Sequence, residues 1–296
     1  MGATSPVWRT VFVLLGLAYF AGAIVLFVFA ESIATLPAAV RADNPWPWAI
    51  GPLALRFVAA LGFTATATAL LTAWRPDGPT VRAAITLTLV ISVLFLMHLL
   101  VHAGDVNWTK PLAWVWAGVV CVALVFSVLG LFATRRTAGE RELRLPPTPR
   151  FAQAVNIFIF FLTGLVGGTM FLLPGVGLER WPWDLNNAVN VQLLGAIFLT
   201  VAISAAWVWR RPSWYGYDLQ YASAGVFAVV ALVASFMHWT LFAGHPVGSV
   251  LFVITYVLGA VLGFFPFFRS ALSPENRPSA PHIAPSEPVW TTPGSL

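Results

Sequence analysis

Residues 46–75 read "WPWAIGPLALRFVAALGFTATATALLTAWR", and residues 181–210 read "WPWDLNNAVNVQLLGAIFLTVAISAAWVWR". Both open on Trp-Pro-Trp, run through an apolar stretch and close on Trp-Arg, and each landmark is displaced by 135 positions. A helix rises about 1.5 Å per residue, so roughly 20 apolar residues cross the hydrocarbon core of a bilayer. Each stretch therefore carries a membrane span, and the chain reads as if written twice.

Composition extends the first point to the whole chain. Of 296 residues, 59% are hydrophobic and only 9% charged, with a mean hydropathy of +0.83. Soluble domains carry about 25% charged residues, because their surface meets water. Too few polar side chains remain here to cover a globule, so most of the surface faces a lipid bilayer. The net charge of +5 comes without a basic, aromatic-interleaved soluble face, which excludes nucleic acid as a partner. The single Cys121 excludes an internal disulfide framework and a cysteine metal cluster.

Apolar runs place spans near 10–31, 48–74, 82–104, 112–134, 152–173, 187–209, 219–242 and 247–268. Backbone polar groups find no water in hydrocarbon, so spans are helices or a closed barrel. Unbroken apolar runs lack the alternation of barrel strands. The reading is an all-α, polytopic membrane protein with eight transmembrane helices. One set of short loops and ends carries Arg9, Arg75, Arg82, Arg135, Arg136, Arg141, Arg144, Arg150, Arg210, Arg211, Arg269 and Arg277. The other carries Arg41, Lys110 and Arg180. Basic loops stay inside, which puts the N- and C-termini in the cytoplasm.

The stretch "RRTAGERELRLPPTPR" at 135–150 is the one charged segment of any length, and its proline pair ends a helix. It divides the chain into a first four-helix repeat (1–134), a charged cytoplasmic linker (135–150), a second four-helix repeat (151–269) and a Pro- and Ser-rich tail (270–296) expected to be disordered. Val28-Phe29-Ala30 offers a small-residue cleavage pattern after the first span. The apolar stretch before it exceeds the roughly 7–15 residues of a signal-peptide core, so a retained anchor is expected. Fifteen Arg to one Lys, with heavy use of Ala and Val, points to a GC-rich bacterium and hence to its plasma (inner) membrane.

A further landmark recurs. "MHLLVHAG" (97–104) and "MHWTLFAG" (237–244) share Met-His and Ala-Gly at an offset of 140. The five-residue difference from the first offset falls between the second and third spans of each half, in a turn where insertion is cheap. Four spans per half is an even number, so both halves enter and leave on the same side. The repeats are then parallel, related by a pseudo-two-fold axis along the membrane normal.

The segment "WPWAIGPLALRF" resembles one in bacterial multi-pass membrane proteins of uncharacterised function, which carry Trp-Pro-Trp followed by Pro-Leu and Arg. The matching residues are Trp46, Pro47, Trp48, Pro52, Leu53 and Arg56. The second half keeps Trp181, Pro182 and Trp183 but has "DLNNAVNVQ" where Pro-Leu and Arg would lie. The resemblance implies a membrane setting and no activity.

His98 and His238 are expected about seven residues inside the ends of their spans, roughly 10 Å below the outer surface. Polar groups at that depth face a bundle interior or a cavity. Desolvation disfavours the imidazolium, leaving the neutral ring that can ligate a metal. His102 stands one turn above His98, and Asp105 and His245 follow at matching positions. If the third spans of both halves line the axis, His98 and His238 face each other. They could then ligate a haem axially, hold Zn or Cu with His102, His245 or Asp105, or hydrogen-bond a quinone. The alternative is that each bonds a neighbouring helix as interhelical glue.

Arg56 lies eight residues past Trp48. Its stem reaches the outer headgroups, or it pairs with an acid such as Glu31 or Asp105, or with an anionic ligand. Asn186, Asn187, Asn190 and Gln192 occupy the corresponding region of the sixth span, so both halves place polar groups near the histidines. That convergence suggests an outward-facing polar pocket. Tryptophans at span ends read as a headgroup girdle, and Trp-Pro-Trp suits proline in a first helical turn. The Ala-Gly pairs read as close helix contacts or left-handed helix ends.

No Walker loop, His-Glu-x-x-His, Gly-x-Ser-x-Gly or pair of acids within a span is present. Catalysis by these routes is unsupported, and the leaning is towards a protein that is not an enzyme. Three functions are carried forward. The first is a scaffold or accessory subunit among other membrane subunits. The second is a haem-, metal- or quinone-binding protein using His98, His238 and Arg56. The third is a small-solute transporter, which would call for midplane polar groups and broken helices.

Overall fold

The computed structural model describes residues 6–34, 45–142, 150–210, 218–242, 244 and 246–272. They form α1 (Pro6–Val28), a short α2 (Ala30–Ile33), α3 (Pro52–Trp74), α4 (Gly78–Val101), α5 (Pro111–Glu142), α6 (Arg150–Leu172), a short α7 (Pro174–Arg180), α8 (Ala188–Trp209), α9 (Asp218–Met237), a 3₁₀ turn (Trp239–Phe242) and α10 (Pro246–Leu272). The eight long helices are long and apolar enough to cross a membrane, as a multi-pass membrane protein requires.

Local chemistry sets the helix starts. Pro6, Pro52, Pro111 and Pro246 each open a helix, where the missing N–H is no loss and φ is already helical. Asp77 caps α4 by accepting from the Thr80 N–H at 2.9 Å, and Asn187 caps α8 through Asn190 N–H at 2.9 Å. The second span thus begins at Pro52 rather than 48, with Trp46–Trp48 as a bend ahead of it. The seventh ends at Met237 rather than 242. There the His238 N–H turns to Ser235 O at 3.1 Å, and the chain tightens into the 3₁₀ turn.

Burial sorts the helices into two rings. Half or more of the spans of α3, α8 and α9 is buried, and α8 reaches 67%, whereas α1 and α5 are 17% buried. With α4, the first three make an inner set; α1, α5, α6 and α10 are peripheral and turn Leu, Val and Phe outwards. Neighbours in sequence pair as hairpins, α1 with α3, α4 with α5, α6 with α8 and α9 with α10. Across the bundle, α3 packs on α9 and α4 packs on α8.

Lipid is as apolar as leucine, so association rests on close packing and polar contacts. Small residues supply the first. A Cβ on Gly195 would meet the Phe171 backbone N at 2.7 Å, and one on Gly263 would meet Gly225 N at 2.6 Å. On α3, Gly62 lies against Ala23 of α1. The buried hydroxyls of Thr66, Thr68 and Thr72 are satisfied within α3 by carbonyls four residues back. The expected roles of Gly104 and Gly244 fall away: nothing lies within 4 Å of a Cβ built on either, and neither has a positive φ.

The tryptophans divide. Trp74, Trp114, Trp207, Trp209 and Trp239 are exposed, as a girdle requires, but Trp46, Trp48 and Trp183 are buried. The Pro47 and Pro182 bends turn these indoles inwards. Trp46 and Trp48 meet edge-to-face at 5.2 Å and 73°, and Trp181 and Trp183 at 5.1 Å and 73°.

Candidate functional site

Two polar clusters lie at the end of the bundle where α3 and α8 begin. The first is built on Arg56, five residues past the N-cap Gly51. Its side chain is 5% exposed, so snorkelling to headgroups is not its role. Nε donates to Phe27 O at the end of α1 (3.2 Å), and Nη1 donates to Glu31 Oε1 of α2 (2.9 Å). Nη1 also donates to His238 Nε2. Glu31 is 62% exposed and its Oε1 lies 3.7 Å from His238 Nε2. One guanidinium thus ties α1, α2 and the end of α9 to α3.

Guanidinium carries donors alone, so His238 Nε2 must accept. The ring is then neutral, with its proton on Nδ1. Burial first, and then the neighbouring Arg56 cation, hold the His238 pKa below its ordinary 6.5, while Glu31 pulls the other way.

The second cluster is built on Gln192, five residues past the N-cap Asn187. Its Nε2 donates to Phe171 O at the end of α6 (2.9 Å), which fixes the amide orientation. Its Oε1 accordingly faces His102 Nε2 at 2.9 Å, and His102 Nδ1 lies 2.7 Å from Asp105 Oδ2. Both nitrogens of His102 thus face oxygens, one of an amide and one of a carboxylate. Asn190 and Asn187 reinforce this corner. Trp48 Nε1 donates to Asn190 Oδ1 (3.0 Å), and Asn187 and Asn190 both donate to Ala49 O (2.7 and 3.0 Å). The loop before α3 is thereby fastened to the start of α8.

His98 differs from both. It is 1% exposed, with its ring 6.2 Å from Trp48 and 5.2 Å from His102, and its buried Nδ1 has no hydrogen-bond partner. Asp105 is joined to His102, while Arg56 and His238 are joined to each other. The two repeated histidines do not share a cluster, because α9 lies on α3 and α4 lies on α8. Nor do their depths match the expectation: His98 sits in the last turn of α4, and His238 follows the last residue of α9. His245 falls outside the described residues. Among the described residues no three His, Cys, Asp or Glu side chains gather as a metal centre needs.

Sequence reasoning named Glu31 as a partner for Arg56 but not Gln192 as a partner for His102. The signal that finds both is position relative to the helix cap, since Arg56 and Gln192 share it. Between α3 and α8 lies a cavity of about 20 Å³, lined by Ala54, Phe57, Trp183 and Asn190 among others. That is room for about one water, far below the ~300 Å³ at which small-molecule pockets begin. Compared with protein-family models, with curated proteins and with solved structures, the chain matches none.

Proposed function

We propose that this chain is a non-enzymatic membrane scaffold or accessory subunit, whose outer-leaflet histidine clusters clamp two parallel four-helix repeats together. The observation that carries it is the use to which the polar residues are put. Arg56, His238, Gln192 and His102 spend their hydrogen bonds on one another, on Glu31 and Asp105, and on the carbonyls of Phe27 and Phe171. Polar side chains spent this way act as interhelical glue. The narrow cavity between α3 and α8 favours the same reading over a solute carrier.

The repeat is supported by matched contacts. The α3–α9 and α6–α8 pairs recur under exchange of halves as α8–α4 and α1–α3. Residues 1–134 and 151–269 are then the copies, joined by the 135–150 linker. The Arg distribution favours cytoplasmic termini in a bacterial inner membrane, with the histidine end outside.

His98 favours a second reading, in which it ligates a haem, Zn or Cu ion or bonds a quinone. A buried ring nitrogen without a partner is what an absent ligand would leave. His238 does not join it there, since its Nε2 lone pair is taken by Arg56. Purified full-length protein separates the two readings by its visible spectrum, metal content and extractable quinone. A colourless protein, free of metal and quinone, supports the scaffold. A Soret band, stoichiometric metal or bound quinone that is lost in His98→Ala overturns it.

A further inference from the structure

We propose that the Arg56–His238 contact is an acid-released latch between α3 and α9. It rests on the reading of these clusters as helix clamps. The contact exists only while His238 Nε2 has a lone pair to offer a guanidinium. A proton on that nitrogen turns acceptor into donor and sets two cations against each other.

A second partner stands ready. Glu31 Oε1 is 3.7 Å from the same nitrogen, on a side chain exposed enough to follow it. No helix continues through His238, which leads from α9 into the 3₁₀ turn. Among the described residues, the charged groups that reach His238 are Arg56 from α3 and Glu31 from α2. The first disfavours its proton and the second favours it, with burial on the side of Arg56.

The other cluster presents acceptors to its histidine instead of a cation. Gln192 holds the station of Arg56, and His102 faces Gln192 Oε1 and the Asp105 carboxylate.

The test uses the full chain in lipid nanodiscs, with Cys121→Ser and spin labels on Val28→Cys and Leu241→Cys, both exposed in the fold. Label-to-label distances are measured at about pH 8 and about pH 5, on either side of the ordinary imidazole value. The latch predicts a reversible shift to longer, broader distances in acid. H238Q, whose amide oxygen still accepts from Arg56 but does not titrate, should give one distribution at both. An unchanged distribution with His238 in place, or the same acid shift in H238Q, overturns the proposal. Ring nitrogen shifts of His238 in the unlabelled protein give an independent measure should H238Q misfold. Nε2 bare at neutral pH and protonated in acid supports the latch, and Nε2 protonated at neutral pH overturns it. Colour, bound metal or bound quinone would sink the scaffold reading without altering these distances.

Discussion

Arg56 and Gln192 hold the same station in different helices: each stands five residues past its N-cap, and each donates to a phenylalanine carbonyl, Phe27 or Phe171, at the end of the preceding long helix. Each also reaches a histidine just past the end of another helix, His238 after α9 or His102 after α4. The station is shared while the chemistry differs, one side chain being a cation with donors only and the other a neutral amide.

Truncating Arg56 should cost far more than truncating its acid partner. Arg56→Ala strips the bond from Phe27 O and from His238 in a buried setting, a loss of about 2–3 kcal/mol. Glu31→Ala removes an exposed carboxylate, where an ion pair contributes at most about 1 kcal/mol. Thermal unfolding in detergent ranks the two, and equal losses would contradict the central role of the guanidinium.

Gln192→Leu keeps the bulk and deletes both hydrogen bonds. Phe171 O and His102 Nε2 are then left without partners, at roughly 1–3 kcal/mol. Gln192→Glu restores an acceptor towards His102 but not the donor towards Phe171 O. Its melting point should therefore fall between those of the Gln192→Leu variant and the unaltered protein.

Glycines on α6 should split sharply. Gly167→Ala drives a methyl to 2.6 Å from Leu199 N, so α6 and α8 must part, at about 1–3 kcal/mol. Gly168→Ala meets nothing within 4 Å and should gain up to about 1 kcal/mol from helix propensity. Paired melting curves of the neighbouring variants decide this within one experiment.

Stability should fall in acid through His238. Its folded pKa is depressed, so its contribution is complete above the ordinary imidazole value of about 6.5 and is lost as pH drops towards the depressed one. The melting temperature of the unaltered protein should therefore decline over that window more than that of His238→Gln. Parallel declines would place the acid sensitivity elsewhere.

His98→Phe exchanges an unpartnered buried nitrogen for carbon among aromatic neighbours. Removing an unmet polar group is worth about 1–3 kcal/mol, so the melting point should hold or rise. A marked drop would mean that the imidazole has a partner in the purified protein.

The spans were legible because hydrocarbon demands long apolar helices, and all eight fall close to where the apolar runs place them. The ends were less so: Pro52 rather than Trp48 opens α3, because the fixed φ of Pro52 suits the first turn while Trp46–Trp48 bend. Which helix faces which is barely written in such a chain, since lipid-facing and buried positions are alike apolar. Hence His98 and His238, identical in local wording, were expected to meet and instead take different surroundings. Arg56 with Glu31 was readable because a buried cation in a nearly uncharged chain has few acids to choose from. Gln192 with His102 was not, because a neutral amide announces no partner.

Glycine placement carries a mechanical consequence. In three of the sequential pairs backbones or small side chains nearly touch, at Gly62, Gly195 and Gly263, and in the fourth Gly130 receives the side chain of Ile85, so each hairpin is closely packed. The α3–α9 and α4–α8 seams share one buried apolar core, with Phe57 of α3 against Phe227 of α9, and carry a polar bridge at one end only, Arg56 with His238 and Gln192 with His102. A bulky residue at one of these glycines therefore splits a hairpin along its length, while loss of a polar bridge frees only one end of a seam.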